Sequence, residues 1–131
     1  MSTVPTEMQE QMWVIQWSEQ PSIREKYPML KYLFHIANER SDKVQAAIMK
    51  KMGVRKGVPD LCLPVPKKKY HGLYIEMKRI KDGKPSYEQL WWKNGLTENG
   101  YCSVICNGWK AATQTLMWYL DLKECDNCGG H

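Results

Sequence analysis

The stretches GVPDLCLP (57–64) and GLYIEMK (72–78) decide the fold, because each is apolar enough to form a buried strand. Each also carries ionisable residues: Asp60 at the start of the first, and Glu76 and Lys78 inside the second. Side chains alternate along a strand, so Glu76 and Lys78 share one face. The short link between the two stretches predicts a hairpin, which brings Asp60 towards Glu76 at the far end of the second strand.

Charges inside apolar strands require an explanation, because burying a charge is costly unless another group offsets it. Two converging carboxylates repel, and one takes up a proton unless a cation lies between them. Oxygen ligands of this kind suit Mg²⁺ or Mn²⁺, which retain waters and bind phosphates. The pattern therefore predicts a hydrolytic phosphodiester centre. The alternative for Glu76-x-Lys78 is an exposed strand face with a cross-strand ion pair.

The composition indicates one globular domain: 131 residues, 43% of them hydrophobic and 25% charged. The N-terminal MSTVPTEMQE has no apolar leader, and no run reaches the length of a membrane span. We therefore expect a cytoplasmic protein without a membrane partner. Five scattered cysteines argue against a disulfide framework. Cys62, Cys102 and Cys106 are expected to be small buried hydrophobes.

Positive charge is concentrated in the middle of the chain. Between Arg40 and Lys84 there are 13 Lys or Arg and four acids, which gives +9, whereas the overall net charge is +5. A basic segment of this kind favours a polyanionic partner such as nucleic acid. The alternative is a solvated charged surface.

Hydrophobic periodicity and capping residues predict the order α-β-α-β-β-α-β-α. The predicted elements are a helix over Thr6–Glu19, a strand over Lys31–Ala37, a helix capped by Ser41 and ended by Gly53, strands over Asp60–Val65 and Leu73–Arg79, a helix capped by Ser86, a strand over Tyr101–Cys106 and a helix over Gly108–Leu120. A loop containing Pro21 and Pro28 follows the first helix.

The same periodicity predicts which helix faces are buried. These are Met8, Met12 and Ile15 on the first helix, Val44, Ala47 and Ile48 on the second, and Leu90 and Trp91 on the third. Trp91 and Trp92 could stack on bases, but core packing is the favoured interpretation. We also expect Trp13, Trp17, Trp109 and Trp118 in the core, with one or two available for a dimer interface.

The two opening motifs together resemble the PD-(D/E)xK nuclease signature, and the wider chain resembles the VRR-NUC (virus-type replication-repair nuclease) family. The matching pieces are TEMQEQ, HIANER, MGVRKGVPDLCLP, HGLYIEMKR, PSYEQLWW and GYCSVICNGW. The resemblance implies an α/β, restriction-endonuclease-like fold, with a mixed four-stranded sheet flanked by helices. It places the nuclease domain at 1–122 and a C-terminal tail at 123–131. Cys125, Cys128 and His131 of the tail supply fewer than the four ligands of a structural zinc site.

The resemblance also implies roles for individual residues. In the family the aspartate and the glutamate hold a divalent metal and the lysine assists the nucleophile, and these roles carry over to Asp60, Glu76 and Lys78. The backbone carbonyl of Met77 is expected to reach the same Mg²⁺ or Mn²⁺ ion. Gln89 matches a glutamine near the family's cleft, and its spacing from Ser86 also fits a capping box.

A glutamate from the first helix completes the metal shell in the family. Glu7 is our choice here and Glu10 is the alternative, because one sequence does not determine that register. Either acid could instead favour the positive N-terminus of the helix without binding metal.

Several residues are candidates for contacts with the DNA backbone. Asn38 and Arg40 belong to a loop that resembles the family's loop near DNA. Arg55, Lys56, Lys67, Lys68 and Lys69 could contact phosphates without reading sequence, and the three lysines are expected next to the cleft. The alternative for each lysine is a solvated charge.

The expected activity is that of a metal-dependent, structure-selective endonuclease acting on branched DNA. Stand-alone members of the family resemble Holliday junction resolvases and act as homodimers, so we expect a homodimer without an organic cofactor, in a bacterial or phage-infected cell. Two alternatives remain open: a flap or end-processing repair nuclease with the same centre, and a non-catalytic DNA-binding module that keeps the fold.

Overall fold

A computed structural model describes residues 3–37 and 42–124. Its elements in chain order are α1 (Glu7–Ser18), α2 (Pro21–Lys26), a 3-10 helix (Pro28–Tyr32), β1 (Phe34–His35), α3 (Lys43–Lys51), β2 (Leu61–Leu63), β3 (Leu73–Lys78), α4 (Tyr87–Glu98), β4 (Cys102–Asn107) and α5 (Trp109–Leu120). Within these described ranges, no helix is both long enough and apolar enough to cross a membrane.

The four strands form one mixed sheet in the order β1-β2-β3-β4. The β1–β2 and β2–β3 pairs are antiparallel, and β3 pairs with β4 in parallel through the α4 crossover. The predicted hairpin is confirmed, because Leu61 pairs with Ile75 and Leu63 pairs with Leu73. The turn therefore lies beyond Leu63, and the opposite end of the hairpin lies beyond Leu61.

Helices cover both faces of the sheet. On one face, Leu73, Ile75 and Met77 of β3 join a core cluster with residues of α1 and α5, including Val14 and Leu116. The side chains that alternate with them point to the other face. There α4 covers β3, since Tyr74 lines a groove with Trp91 and Trp92, and Gln89 bonds Glu76. The mixed sheet flanked by helices is the architecture that the sequence predicts.

The segment before the first strand differs from its prediction. Pro21 and Pro28 begin short helices instead of a loop, because proline is tolerated in a first helical turn. Residues 31–32 belong to the 3-10 helix, so β1 is reduced to Phe34–His35. Asp42, rather than Ser41, caps α3, and its carboxylate accepts hydrogen bonds from two backbone N–H groups. Ser41 lies outside the described residues.

Three predicted buried faces are wrong. On α1 the buried residues are Glu10, Val14 and Ser18, whereas Met8 and Met12 are exposed and Ile15 is half-buried. No residue of α3 is buried, and Val44, Ala47 and Ile48 are exposed, because α3 only joins edge strand β1 to β2. On α4, Leu90 and Trp91 are exposed. Periodicity shows that a face is apolar, but not that another element covers it.

The expected burial of the aromatic and sulfur side chains is confirmed only in part. Cys62, Cys102 and Cys106 are buried free thiols. Trp17 and Trp109 are partly buried against the core, but Trp13 and Trp118 are exposed.

Candidate active site

The hairpin register brings the two acidic residues together. Because Leu61 pairs with Ile75 in an antiparallel ladder, the next position along places Asp60 opposite Glu76. The backbone N–H of Met77 donates to the Asp60 carboxylate over 2.7 Å. This bond aims the carboxylate at β3, and the two acids share one end of the hairpin as the sequence predicts.

The backbone of Asp60 is held from the other side by β1. Its carbonyl oxygen accepts from the N–H of Ile36 at 2.8 Å and from Nδ1 of His35 at 2.8 Å. A carbonyl can only accept, so Nδ1 of His35 carries the proton in this bond. Sequence reasoning missed His35 as a residue of the cleft. The sequence feature that could have identified His35 is its position at the start of HIANER, one of the motifs that resemble the family.

Glu76 is a buried carboxyl group that lies next to a second carboxyl group, that of Asp60. Its pKa is raised to about 9, first by burial and then by the neighbouring Asp60 carboxylate, while Lys78 lowers it. Glu76 is 6% exposed. Without a cation, the pair therefore relieves its repulsion by keeping a proton on Glu76.

Gln89 connects the start of α4 to Glu76. Its Oε1 accepts from the backbone N–H of Ser86 at 2.8 Å, and the Ser86 hydroxyl accepts from the N–H of Gln89 at 3.2 Å. Its Nε2 donates to Oε2 of Glu76 at 2.9 Å. The capping box and the position in the cleft are therefore both present. The Gln89 side chain therefore takes part in the cap of α4 and also orients the buried carboxyl group of Glu76.

Glu7 lines the cleft on the side of α1 and forms an ion pair with Lys78. Lys78 is 9% exposed, and its Nζ lies 3.5 Å from a carboxylate oxygen of Glu7. Glu7 occupies the first position of α1, after a capping box formed by Thr6 and Gln9. The capping box begins the helix at this point and so brings Glu7 to the cleft.

Glu10 lies away from the cleft. It is 0% exposed, and its Oε1 accepts from the backbone N–H of Trp109 at 3.3 Å. Gly108, which precedes α5, offers no capping side chain. Glu10 therefore takes the position of a capping acid at the N-terminus of α5. Of the two alternatives, the structure brings Glu7 to the cleft.

The cleft residues fit a hard divalent cation. The cavity has a volume of about 340 Å³, and its lining includes Glu7, His35, Asp60, Glu76, Met77 and Gln89. Across residues 3–37 and 42–124, no three or more His, Cys, Asp or Glu side chains cluster closely enough to hold a metal by themselves. Mg²⁺ commonly takes only one or two carboxylates and completes its shell with water and phosphate. Asp60 and Glu76 supply those two carboxylates.

A larger groove, of about 490 Å³, lies between α1 and α5 and is lined by Trp13, Gln16, Trp17, Gln20 and Trp109. None of these side chains ionises to an acid, a base or a nucleophile at neutral pH. The smaller cleft is therefore the candidate active site on chemical grounds.

The predicted basic contacts that the structure describes lie in two different places. Arg55 and Lys56 are exposed on the loop beside α4. Lys67, Lys68 and Lys69 lie in the hairpin turn, beyond Leu63. The predicted position next to the cleft is wrong for these three, because the acids are at the opposite end of the same two strands. Asn38 and Arg40 lie outside the described residues, as do Cys125, Cys128 and His131.

A second basic loop follows β3 at the end of the strand that carries Glu76. Arg79, Lys81 and Lys84 follow Lys78 at the end of β3, and all three are exposed. Asn107 ties this loop to the end of β4 by donating to the carbonyls of Arg79 and Gly83. These cations were counted in the basic middle of the chain but were not identified individually as site residues.

Comparison with known proteins agrees with this geometry. A family model for the VRR-NUC domain matches residues 5–110, a range that contains every cleft residue named above. A solved structure described as a VRR_NUC domain protein superposes with a TM-score of 0.80 at 30% sequence identity, covering 95% of this chain and 95% of that chain. No curated protein matches the sequence. The chain therefore belongs to the VRR-NUC family, a nuclease family within the PD-(D/E)xK superfamily.

Proposed function

We propose that this protein is a Mg²⁺- or Mn²⁺-dependent endonuclease that cleaves branched DNA as a homodimer, in the manner of a Holliday junction resolvase. The observation that carries the metal dependence is the pairing of Asp60 with a buried Glu76 whose pKa is raised to about 9. Burial is the first cause of this shift and the Asp60 carboxylate the second, and a cation between the two carboxylates would remove their mutual repulsion.

In this proposal Asp60 and Glu76 hold the ion, and the carbonyl of Met77 adds a ligand. When bound, a divalent ion supplies Lewis acidity that makes water a better nucleophile and offsets charge on the phosphate. Lys78, held near Glu7 at 3.5 Å, orients the attacking water. Gln89 keeps Glu76 in place through its 2.9 Å hydrogen bond. Glu7 is the further acid available to the ion.

The proposal of branched DNA and a homodimer rests on symmetry and on family resemblance. Each chain carries one candidate site, and cutting two strands symmetrically requires two sites related by a two-fold axis. The exposed cations of the Arg79–Lys84 loop lie at the same end of β3 as the acids. They suit phosphates that flank the cleaved bond, and phosphate contacts give affinity without sequence reading.

The test is a panel of four-way junction, flap, splayed and linear duplex substrates, incubated with Mg²⁺ or Mn²⁺, beside the mass of the protein in solution. We expect symmetric cuts in the junction by a dimer and no cleavage in EDTA. Equal cutting of linear duplex and junction by a monomer would contradict the proposal. Preferential cutting of flaps or ends would instead identify an end-processing nuclease.

The variant Glu76→Gln separates an enzyme from a binding module. It removes the charge of one metal ligand while keeping the shape and the hydrogen bond to Gln89 available. We expect DNA binding in chelator to persist and cleavage to stop. Wild-type protein that binds junctions but cuts no DNA with Mn²⁺ would support the non-catalytic module.

A further inference from the structure

Two aromatic side chains of α4 face solvent beside a pair of cations. Tyr87 is 77% exposed and Trp91 is 60% exposed. They are four residues apart, so they lie on one face of the helix. With Arg55, Lys56, Glu88 and Trp92 they line a groove of about 460 Å³, which we call the α4 groove.

The α4 groove is held in shape by contacts along its floor. Nε1 of Trp92 donates to the carbonyl of Lys56 at 3.1 Å. The Trp92 ring meets Trp91 edge to face, with centroids 5.6 Å apart. Gly57 has φ +88, and a Cβ there would lie 2.6 Å from Cβ of Glu88. Only glycine allows the loop this close to α4, so the cations and the aromatic rings have a defined relative position.

Charge distinguishes the α4 groove from the groove between α1 and α5. Arg55 and Lys56 are both exposed and face one acid, Glu88. The groove between α1 and α5 has tryptophans and glutamines but no charged residue. Aromatic faces next to exposed cations are the combination that binds single-stranded nucleic acid, because bases stack and phosphates are neutralised.

The α4 groove lies one helix away from the cleft. Gln89 reaches Glu76, while Tyr87 and Trp91 are each two residues, or about 200° around the helix, from Gln89. Trp91 also borders Tyr74 in a neighbouring groove. An α-helix with its side chains is about 10–12 Å across. A DNA strand that passes the start of α4 could therefore occupy both places.

We propose that unpaired bases of the DNA substrate stack on Trp91 in the α4 groove, with Arg55 and Lys56 contacting the adjoining phosphates. This inference rests on the proposed function, since it assumes that DNA occupies the cleft. The α4 groove would then select which DNA structures are bound, because paired bases present no free face to Trp91. Branch points and unpaired arms do present one.

The test compares two fluorescein-labelled DNAs by anisotropy in EDTA: a splayed duplex with unpaired thymidine arms, and the fully paired duplex of the same length. Replacing Trp91 by Leu keeps an apolar side chain but removes the aromatic face. We expect Trp91→Leu to weaken binding of the splayed DNA by about 5- to 150-fold, the range found when one stacked base is lost. Binding of the paired duplex should be unchanged.

Three further variants sharpen the result. Trp91→Phe keeps an aromatic face and should retain most of the affinity for the splayed DNA. Trp118→Leu removes an exposed tryptophan from α5 and should change neither affinity. Arg55→Ala should lower the slope of log affinity against log salt by about one for both DNAs.

Splayed DNA bound equally well by the wild type and by Trp91→Leu would overturn the inference. So would a change from dimer to monomer in Trp91→Leu, because the groove would then be an interface between copies. If the wild type cuts junctions but Trp91→Leu binds normally, only the groove is disproved. If the wild type binds neither of these DNAs nor a four-way junction, the proposed function fails as well.

Discussion

The two ends of the β2–β3 hairpin differ in how their polar groups are paired. At the turn end, the buried Tyr119 hydroxyl donates to the carbonyl of Val65 at 2.6 Å. Lys67, which is almost buried, forms an ion pair with Glu124 at 3.0 Å. Each of these polar groups has a partner of complementary charge or hydrogen-bonding type, so the turn end contributes to stability.

At the open end, the same two strands hold groups of like charge together. Asp60 faces Glu76, and Glu7 adds a further acid near Lys78. The sheet register requires this contact, since moving either strand by one residue would turn its apolar side chains out of the core. Hydrophobic packing along the hairpin therefore keeps two carboxyl groups close together at one end, where Glu76 retains a proton in the absence of a cation.

The largest effect should come from Glu76→Gln at the open end. If Glu76 holds the ion as proposed, we expect the rate of junction cleavage to fall by about three orders of magnitude or more, because the substitution removes a charge of the proposed metal site. Single-turnover cleavage with saturating Mn²⁺ measures this. Cleavage within about tenfold of wild type would remove Glu76 from the metal site.

Gln89 should have the next largest effect. We expect Gln89→Ala to slow cleavage about 10- to 100-fold, because Glu76 loses the group that orients it. Ser86→Ala is the matched control, since it removes the helix cap at a cost of about 1 kcal/mol but keeps the Gln89–Glu76 bond. Equal losses of activity in the two variants would show that Gln89 acts only through the helix.

The pH dependence of stability should also separate the open end from the rest of the fold. Glu76 has a pKa of about 9 in the folded protein and 4.5 as its ordinary value. Between these values the unfolded state loses the proton first, so the free energy of unfolding decreases as the pH rises.

From about pH 5 to about pH 7 in EDTA we expect wild type to lose about 2.5 kcal/mol relative to Glu76→Gln. Urea denaturation of both proteins measures the difference. Parallel pH profiles would mean that Glu76 ionises normally in the folded protein.

The smallest effect should come from the turn end. Tyr119→Phe leaves the carbonyl of Val65 without its hydroxyl donor and should lower the free energy of unfolding by about 1–2 kcal/mol. Cleavage at a temperature well below the unfolding transition should be unchanged. A loss of cleavage without a loss of stability would show that the two ends are coupled through the strands.

The site was more predictable than the packing of the helices around it. Asp60, Glu76 and Lys78 lie on two strands joined by a short turn, so a local register places them. Gln89 could be predicted from the sequence, because the spacing of a capping box is also local. Glu7 and Glu10 could not be separated from sequence, because their environments depend on how α1 meets Lys78 and the start of α5.

Helix faces required the tertiary structure for a different reason. The apolar stripes of α3 and α4 are real, yet Val44 and Trp91 face solvent. Burial depends on whether another element reaches a face, and periodicity contains no information about distant elements. The three turn lysines differ from this case, because the predicted hairpin already places its turn at the opposite end of the strands from Asp60 and Glu76.

By itself the sequence determined the hairpin and the meeting of two acids at its open end, because these depend on alternation and on short spacings. The family was indicated by the resemblance of its motifs and shown by comparison with known proteins. The tertiary structure decided which glutamate of α1 reaches the cleft, that His35 supports Asp60 and that Trp91 is exposed. Those outcomes depend on contacts between residues far apart in the chain, where small differences in packing select among faces of similar hydrophobicity.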